Sequence, residues 1–154
     1  MIRSRRRLRI CTVLLICNLI FIWGNSLLPG PVSGAFSDAV KDLLQEVLPA
    51  GESLSGSGGL LRKLAHFTEF TLLGMCLTWL LGMLEKPGCW PLFLGIAAAC
   101  VDETIQIFVP DRGPSVRDVA LDSSGVLAGM ILLHLGHTYY KRRKQRNTSW
   151  RKDQ

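Results

Sequence analysis

Hydrophobic residues are concentrated in four long blocks, which are separated by segments rich in glycine, proline or charge. The blocks cover residues 8–28, 64–84, 90–109 and 118–140. Each is close to the roughly 20 residues that an α-helix needs to cross the hydrocarbon core of a bilayer. A soluble domain would instead have short apolar stripes interrupted by polar positions. The pattern predicts an all-α integral membrane bundle of four transmembrane helices, residues 1–146, followed by a polar tail, residues 147–154.

The connection between the first two blocks, residues 29–62, is predicted to be an outer linker. Apolar positions recur at helical spacing from Phe36 to Val47, and charged residues occupy the other side. This pattern predicts a short amphipathic helix lying along the membrane surface. Residues 51–59 are mostly Gly and Ser and are predicted to form a flexible connection.

An alternative reading of the first block is a signal peptide. Basic residues precede it, and the small residues Val32, Ser33 and Gly34 offer a cleavage context before Ala35. The block is long for a signal sequence, however. A count of four helices also places both basic ends of the chain on one side. We therefore favour a retained transmembrane helix.

Basic residues set the predicted orientation of the bundle. Much of the net charge of +6 lies in two clusters, residues 3–9 and 141–146, and each cluster adjoins an apolar block. Basic residues next to membrane helices are typical of the cytoplasmic side. We therefore expect both termini in the cytoplasm, the turn at residues 85–88 inside and the loop at residues 111–117 outside. No basic face interleaved with aromatic residues is present, so nucleic-acid binding is not expected.

The cysteines do not indicate a disulfide framework or a metal site. The chain has five of them, an odd number, and contains no C-x-x-C motif. The sequence predicts no cofactor and no metal ion.

The apolar blocks contain ionisable residues that a lipid-facing helix would not tolerate. An uncompensated charge at the centre of a membrane helix costs at least about 2.5–3.5 kcal/mol, so these residues should face one another inside the bundle. Helical spacing puts Asp102 and Glu103 on a broad face with Gln106, and puts Asp118 one turn from Asp122. With the predicted topology, three helices carry carboxylates at similar depth, near the outer side. The candidate acid/base groups are His66, Glu69, Asp102 and Glu103, and the candidate binding groups are Lys63, Gln106, Arg112, Asp118 and Asp122.

Several of these residues have expected partners. Gln106 is expected to bond a carboxylate, and Arg112, in the loop before the fourth helix, is expected to reach down as their counter-charge. Gly125 and Gly129 form a G-x-x-x-G spacing that permits close packing against another helix.

Other readings of the charged residues stay open at this point. The cluster could be a satisfied polar network that fixes helix packing. Asp118 could be only the N-cap of the fourth helix, and Lys63 could be a residue that extends to the membrane surface. His66, Glu69, Asp102 and Glu103 could together hold a divalent metal, although no recognised metalloenzyme spacing is present.

Three motifs in order resemble the VanZ-like family of bacterial membrane proteins. They are K-x-x-H-F-x-E-F-x-x-L-G from Lys63, D-E-x-x-Q-x-F-x-P-x-R from Asp102, and S-x-x-D-x-x-x-D-x-x-G-x-x-x-G from Ser115. The resemblance extends over about residues 10–140. Asp122 departs from the family pattern, which more often has Asn. The resemblance implies a small helix bundle in a bacterial plasma membrane. It also implies a link to low-level resistance to the glycopeptide teicoplanin, and brings no settled reaction.

The residues and the resemblance together give two main functional hypotheses. The first is an outer-facing pocket that binds a lipid-linked envelope precursor or a lipoglycopeptide, with membrane lipids as neighbours. The second is a membrane-embedded enzyme in which Asp102 or Glu103 is the general base, His66 its acid/base partner and Arg112 a charge stabiliser. A transporter is a weaker option, because four helices leave little room for alternating access and no repeat is seen. The sequence does not predict the oligomeric state.

Overall fold

The computed structural model of the chain describes residues 2–32, 58–86 and 88–150. These residues form helices without strands: α1 (Ile2–Ser26), α2 (Gly58–Met83), α3 (Trp90–Ile107) and α4 (Val116–Trp150). All four helices are long and apolar enough to span a membrane. The predicted all-α membrane bundle is therefore confirmed. The predicted amphipathic helix at residues 36–47, most of the Gly/Ser connection and residues 151–154 lie outside the described residues.

Three helices extend beyond their predicted bounds. Helix α1 begins at Ile2 rather than at residue 8. Helix α4 continues past residue 140 to Trp150, so the basic cluster 141–146 is helical. Lys, Arg and Gln are good helix formers, and a helix that has already formed adds further residues easily. Helix α2 begins at Gly58 rather than at residue 64, so Gly58 and Gly59 are helical and not part of a flexible connection. Each glycine costs about 1 kcal/mol in a helix, which the packing of the rest of α2 offsets.

Helices that follow one another along the chain run in opposite directions. Helices α1 and α2 are antiparallel, because the Cys11 thiol donates to the Cys76 carbonyl at 3.5 Å while Asn25 contacts Glu69 at the other end. Helices α2 and α4 are parallel and form the most extensive helix–helix contact. The C-terminal ends of α1 and α3 therefore meet the N-terminal ends of α2 and α4. This shared end of the bundle is called the polar end below.

Glycines permit the close contact between α2 and α4. A Cβ atom at Gly125 would lie 2.6 Å from the carbonyl oxygen of Phe67, and one at Gly129 would collide with the carbonyl oxygen of Thr71. The predicted packing role of the G-x-x-x-G spacing is confirmed. Helix α2 also has a small residue at this contact. A Cβ at Gly74 would collide with the backbone of Val126. The two helix axes are thus held close and in a fixed register.

The apolar core lies in the middle of the bundle, below the polar end. It consists of Ile22, Phe70, Leu73, Leu77, Ala98, Ala99 and Val126. Many other large apolar side chains are exposed around the helices, such as Ile20, Phe93 and Leu132. Apolar residues on the outside are suited to contact with lipid chains. Threonine hydroxyls within the spans, including Thr71 and Thr78, donate to carbonyls one turn earlier and so are satisfied within their own helix.

Replacing Gly129 with Ala is expected to destabilise the bundle. The added methyl group would collide with the Thr71 carbonyl and lie 2.9 Å from the Met75 amide nitrogen, so α2 and α4 would have to separate. Overpacking of this kind costs about 1–3 kcal/mol. The measurement is the free energy of unfolding in a detergent–denaturant titration.

Gly136→Ala is the matched control in the same helix, because nothing lies within 4 Å of a Cβ at that position. It should be neutral, or stabilising by up to about 1 kcal/mol through helix propensity. Equal stabilities for the two variants would contradict the close contact between α2 and α4.

Candidate functional site

A cleft opens at the polar end between α2, α3 and α4. The space inside it that a water-sized molecule can occupy is only about 10 Å³, which is room for about one water molecule, so the cleft is narrow in this conformation. Its lining consists of Arg62, Lys63, His66, Glu103, Gln106, Asp118, Leu121 and Asp122. Most of the residues predicted from sequence as site residues therefore line a single cleft.

Three of the predicted residues form what is called the floor of the cleft below: His66 and Asp122 line the cleft, and Asp102 lies beside them without lining it. His66, Asp102 and Asp122 come from α2, α3 and α4, and each is buried. The Nδ1 atom of His66 lies 3.9 Å from Oδ2 of Asp102, which makes this an ion pair if the imidazole is protonated. Each of the three residues offers a potential ligand atom within 4.8 Å of the others. The structure thus places ionisable groups from separate helices at one depth.

Asp102 is held in place through a chain of side chains. The Gln106 amide donates a hydrogen bond of 3.0 Å to Oδ2 of Asp102, so the predicted pairing of Gln106 with a carboxylate is confirmed. The same amide nitrogen lies 3.5 Å from the hydroxyl oxygen of Ser26, which is fully buried at the end of α1. Helix α1 therefore supports the site without lining it.

Two other carboxylates are engaged elsewhere. Oε2 of Glu103 accepts a hydrogen bond of 2.6 Å from the backbone N–H of Ser115, which anchors the loop before α4. Oε1 of Glu69 accepts a hydrogen bond of 3.1 Å from the side-chain amide of Asn25. Glu69 is buried but does not line the cleft. The structure therefore separates Glu69 from the acid/base group in which the sequence placed it.

The residues at the rim of the cleft are basic. Arg62 and Lys63, at the start of α2, line the cleft, and the Lys63 side chain is exposed.

Asp118 also lines the cleft. Asp118 is the third residue of α4 and lies in its first turn, so it is not the N-cap of that helix. A carboxylate there is stabilised by the N-terminal end of the helix dipole.

Arg112 does not pair with the carboxylates as predicted. Its three guanidinium nitrogens are buried and have no hydrogen-bond partner within the described part of the chain, and it forms no ion pair there. Burial lowers the pKa of Arg112, nearby Arg62 lowers it further, and Asp102 and Glu103 oppose this shift. The guanidinium stays protonated because its ordinary pKa is far above neutral. Arg112 does not line the cleft, and the unpaired oxygens of Asp102 and Asp122 receive no hydrogen bond from it.

The loop that carries Arg112 is fixed at both ends. Asp111 has a φ of 60°, a left-handed conformation that Asp tolerates better than most residues. The Pro110 carbonyl accepts a hydrogen bond of 3.4 Å from the N–H of Gly30, just after α1. The buried position of Arg112 thus depends on contacts between segments far apart in sequence.

The sequence reasoning missed three residues that contribute to the site. Asn25 and Ser26 hold Glu69 and Gln106, and Arg62 lines the cleft. The same signal used for the other helices, polar residues within an apolar block, could have identified Asn25 and Ser26. Arg62 lies at the end of the predicted outer linker, where a basic residue gives no such signal.

The family comparison agrees with the geometry. The sequence model of the VanZ/LLP1 family matches residues 10–137. The chain belongs to the VanZ/LLP1 family. The matched region includes every residue of the cleft and all but the ends of α1 and α4. Comparisons of this VanZ/LLP1 member with curated proteins and with solved structures each found no significant match.

Replacing Glu103 should distinguish its hydrogen bond from its charge. In Glu103→Leu the Ser115 N–H loses its acceptor, and we expect a loss of about 1.5–3 kcal/mol in the free energy of unfolding. In Glu103→Gln the amide oxygen can still accept this bond, so stability should stay near wild type. Unfolding of the two variants in detergent, compared with wild type, measures the difference. A Gln variant as unstable as the Leu variant would mean that the charge matters more than the bond.

Proposed function

We propose that this VanZ/LLP1 protein binds the anionic headgroup of an amphipathic cell-envelope molecule in the cleft at its polar end. The ligand would be a lipid-linked envelope precursor or a lipoglycopeptide, both of which combine a polar group with an apolar chain. Its headgroup would occupy the cleft, and its chain would lie against the apolar outer surface of the helices. Through this binding the protein would contribute to low-level teicoplanin resistance.

One observation carries the proposal: the buried Arg112 guanidinium has no acceptor among the described residues. A buried cation without partners is strongly unfavourable. A second cation, Arg62, is close enough to affect its pKa. A phosphate or carboxylate between them would supply acceptors to both, because the guanidinium fork matches these groups in two-pronged geometry.

The polarity of the cleft supports the same conclusion. Arg62 and Lys63 place two basic side chains along the cleft, and the narrow cleft would have to widen to admit a headgroup. The exposed apolar side chains of the bundle provide a surface for a lipid chain at the same level. An amphipathic ligand could therefore reach the cleft from the membrane without leaving it.

Loss of the Arg112 guanidinium should weaken headgroup binding. Charge-assisted hydrogen bonds contribute about 1.5–3 kcal/mol, so Arg112→Gln should raise the Kd about 10- to 150-fold. Binding of polyprenyl phosphate and, in a separate arm, of teicoplanin would be measured with the purified protein in detergent. The neutral polyprenol tests whether the anionic group is needed.

Arg117→Gln is the matched control for this measurement. Arg117 is exposed and lies close to Arg112 in sequence, whereas the guanidinium nitrogens of Arg112 are buried. It should bind like wild type, and Glu103→Gln should also keep most of the affinity. Equal binding of polyprenol and polyprenyl phosphate, or equal loss in the two arginine variants, would refute the proposal. Binding in only one of the two arms identifies which molecule is the ligand.

The proposal requires the polar end to face outward. In a background where the native cysteines are replaced, Gly113→Cys should react with a membrane-impermeant maleimide added to intact cells. Gly113 lies in the exposed α3–α4 loop with nothing within 4 Å of a Cβ atom. A protein that keeps only the native Cys89, in the turn between α2 and α3, should be labelled only after lysis. The reverse result would place the cleft on the cytoplasmic side.

An acid/base enzyme is the second candidate, and the proximity of His66 and Asp102 favours it. Their 3.9 Å separation is longer than a hydrogen bond and would have to shorten in a complex with substrate. Release of inorganic phosphate from polyprenyl phosphate, lost in His66→Gln, would support catalysis. If the protein binds polyprenyl phosphate but releases no phosphate from it, the binding function is favoured over the enzyme.

A further inference from the structure

The floor of the cleft brings one potential metal ligand from each of three helices together. His66 on α2, Asp102 on α3 and Asp122 on α4 each offer an atom within 4.8 Å of the others. Metal ligands in helix bundles commonly come from facing helices in this manner. An acidic cluster alone would not indicate a ligand, so the hydrogen bonding of these groups has to decide.

The carboxylate oxygens at the floor have too few donors. Both oxygens of Asp122 and Oδ1 of Asp102 are buried and lack hydrogen-bond partners within the residues that the structure describes. Asp122 is 1% exposed and Asp102 is fully buried. Buried polar atoms in native proteins are nearly always paired, so three unpaired acceptors on two residues beside His66 indicate a missing partner.

The missing partner has to carry positive charge. His66 forms the single ion pair with a carboxylate found among the described side chains, and at most it supplies one positive charge. Arg112 forms no ion pair in that part of the chain. Arg112 is close enough to act on Asp102 electrostatically, but it donates no hydrogen bond to the three unpaired oxygens. Two buried carboxylates whose oxygens lack donors are unfavourable at membrane depth. A dication would compensate both charges.

We propose that His66, Asp102 and Asp122 bind one divalent first-row transition-metal ion, such as Mn²⁺ or Zn²⁺. One imidazole nitrogen and two carboxylates form a donor set suited to these ions. His66 and Asp122 line the cleft, so the ion has a route of entry and keeps coordination positions open toward the cleft. Water or an anionic headgroup would occupy those positions.

The geometry needs only small side-chain movements. Two ligand atoms on one ion can be at most about 4.2 Å apart, twice a bond of about 2.1 Å. The 3.9 Å separation of His66 and Asp102 is already within this limit, and the 4.8 Å bound on the whole set exceeds it by less than 1 Å. Gln106 holds Oδ2 of Asp102 and leaves Oδ1 free, so it would act as a positioning residue.

This set differs from the metal-ligand set that the sequence alone suggested. Glu69 is held by Asn25, and Glu103 by the Ser115 N–H, so neither belongs to it. Asp122, from the helix that the sequence set lacked, takes their place. The metal site does not depend on the proposed headgroup binding, because its ligands come entirely from the protein.

Metal binding would be measured on the full chain, purified in detergent without a histidine tag and stripped with chelator. Titration with Mn²⁺, and separately with Zn²⁺, should give one ion per chain. Asp122→Asn should weaken binding by at least about 10- to 100-fold. The matched control is Asp111→Asn, which removes a carboxylate from the exposed loop and keeps a residue that tolerates its left-handed backbone. Equal effects of the two variants, or no stoichiometric binding, would overturn the proposal.

A spectroscopic readout tests the ligand set even if Asp122→Asn fails to fold. Bound Mn²⁺ should show electron spin-echo modulation from a coordinated imidazole nitrogen. This signal should disappear in His66→Gln and persist in His134→Gln and His137→Gln, which replace the other two histidines of the chain. A nitrogen signal that survives His66→Gln would refute the site. These measurements contain no lipid or drug, so their outcome is separate from that of the headgroup assay.

Discussion

The burial of carboxyl groups among membrane-spanning helices is the constraint on which the rest of this structure depends. Asp102 and Asp122 have almost no contact with solvent, and an unpaired charge in such a place is costly. Hydrogen bonds from Gln106 and from the N–H of Ser115, together with the nearby imidazole of His66, compensate the neighbouring carboxylates only in part. The unpaired oxygens that are left make this end of the bundle chemically distinct from its apolar middle.

Close helix packing makes that arrangement possible. Gly125 and Gly129 allow α4 to lie against the backbone of α2, and this contact fixes the depth of Asp122 relative to His66. Helix α1 adds Ser26 and Asn25 at the same level. The polar groups therefore meet because small residues within about two turns of them set the register of the helices.

The cleft combines two regions of opposite charge. Basic side chains stand at the rim and at the buried Arg112, while carboxylates form the floor. A dication would supply the partner that the carboxylates at the floor lack. An anionic headgroup would supply the partner that the basic side chains lack. The two proposals are therefore electrostatically compatible, although each is tested independently.

The sequence by itself determined the helix bundle, its four apolar spans and which polar residues share a face of their own helix. Helix geometry is local, so the spacing of Asp102 and Gln106, or of Gly125 and Gly129, is known once a helix is assigned. The resemblance in three ordered motifs correctly indicated the family.

Only the tertiary structure decided which atoms pair. How each helix is rotated and shifted against its neighbours decides that Glu103 accepts from Ser115 and Glu69 from Asn25, and that Arg112 donates to none of the described residues. Those rotations follow from contacts between residues far apart in the chain, such as Gly30 with Pro110. Helical periodicity carries no information about them, because every rotation of a helix about its axis preserves the same spacing.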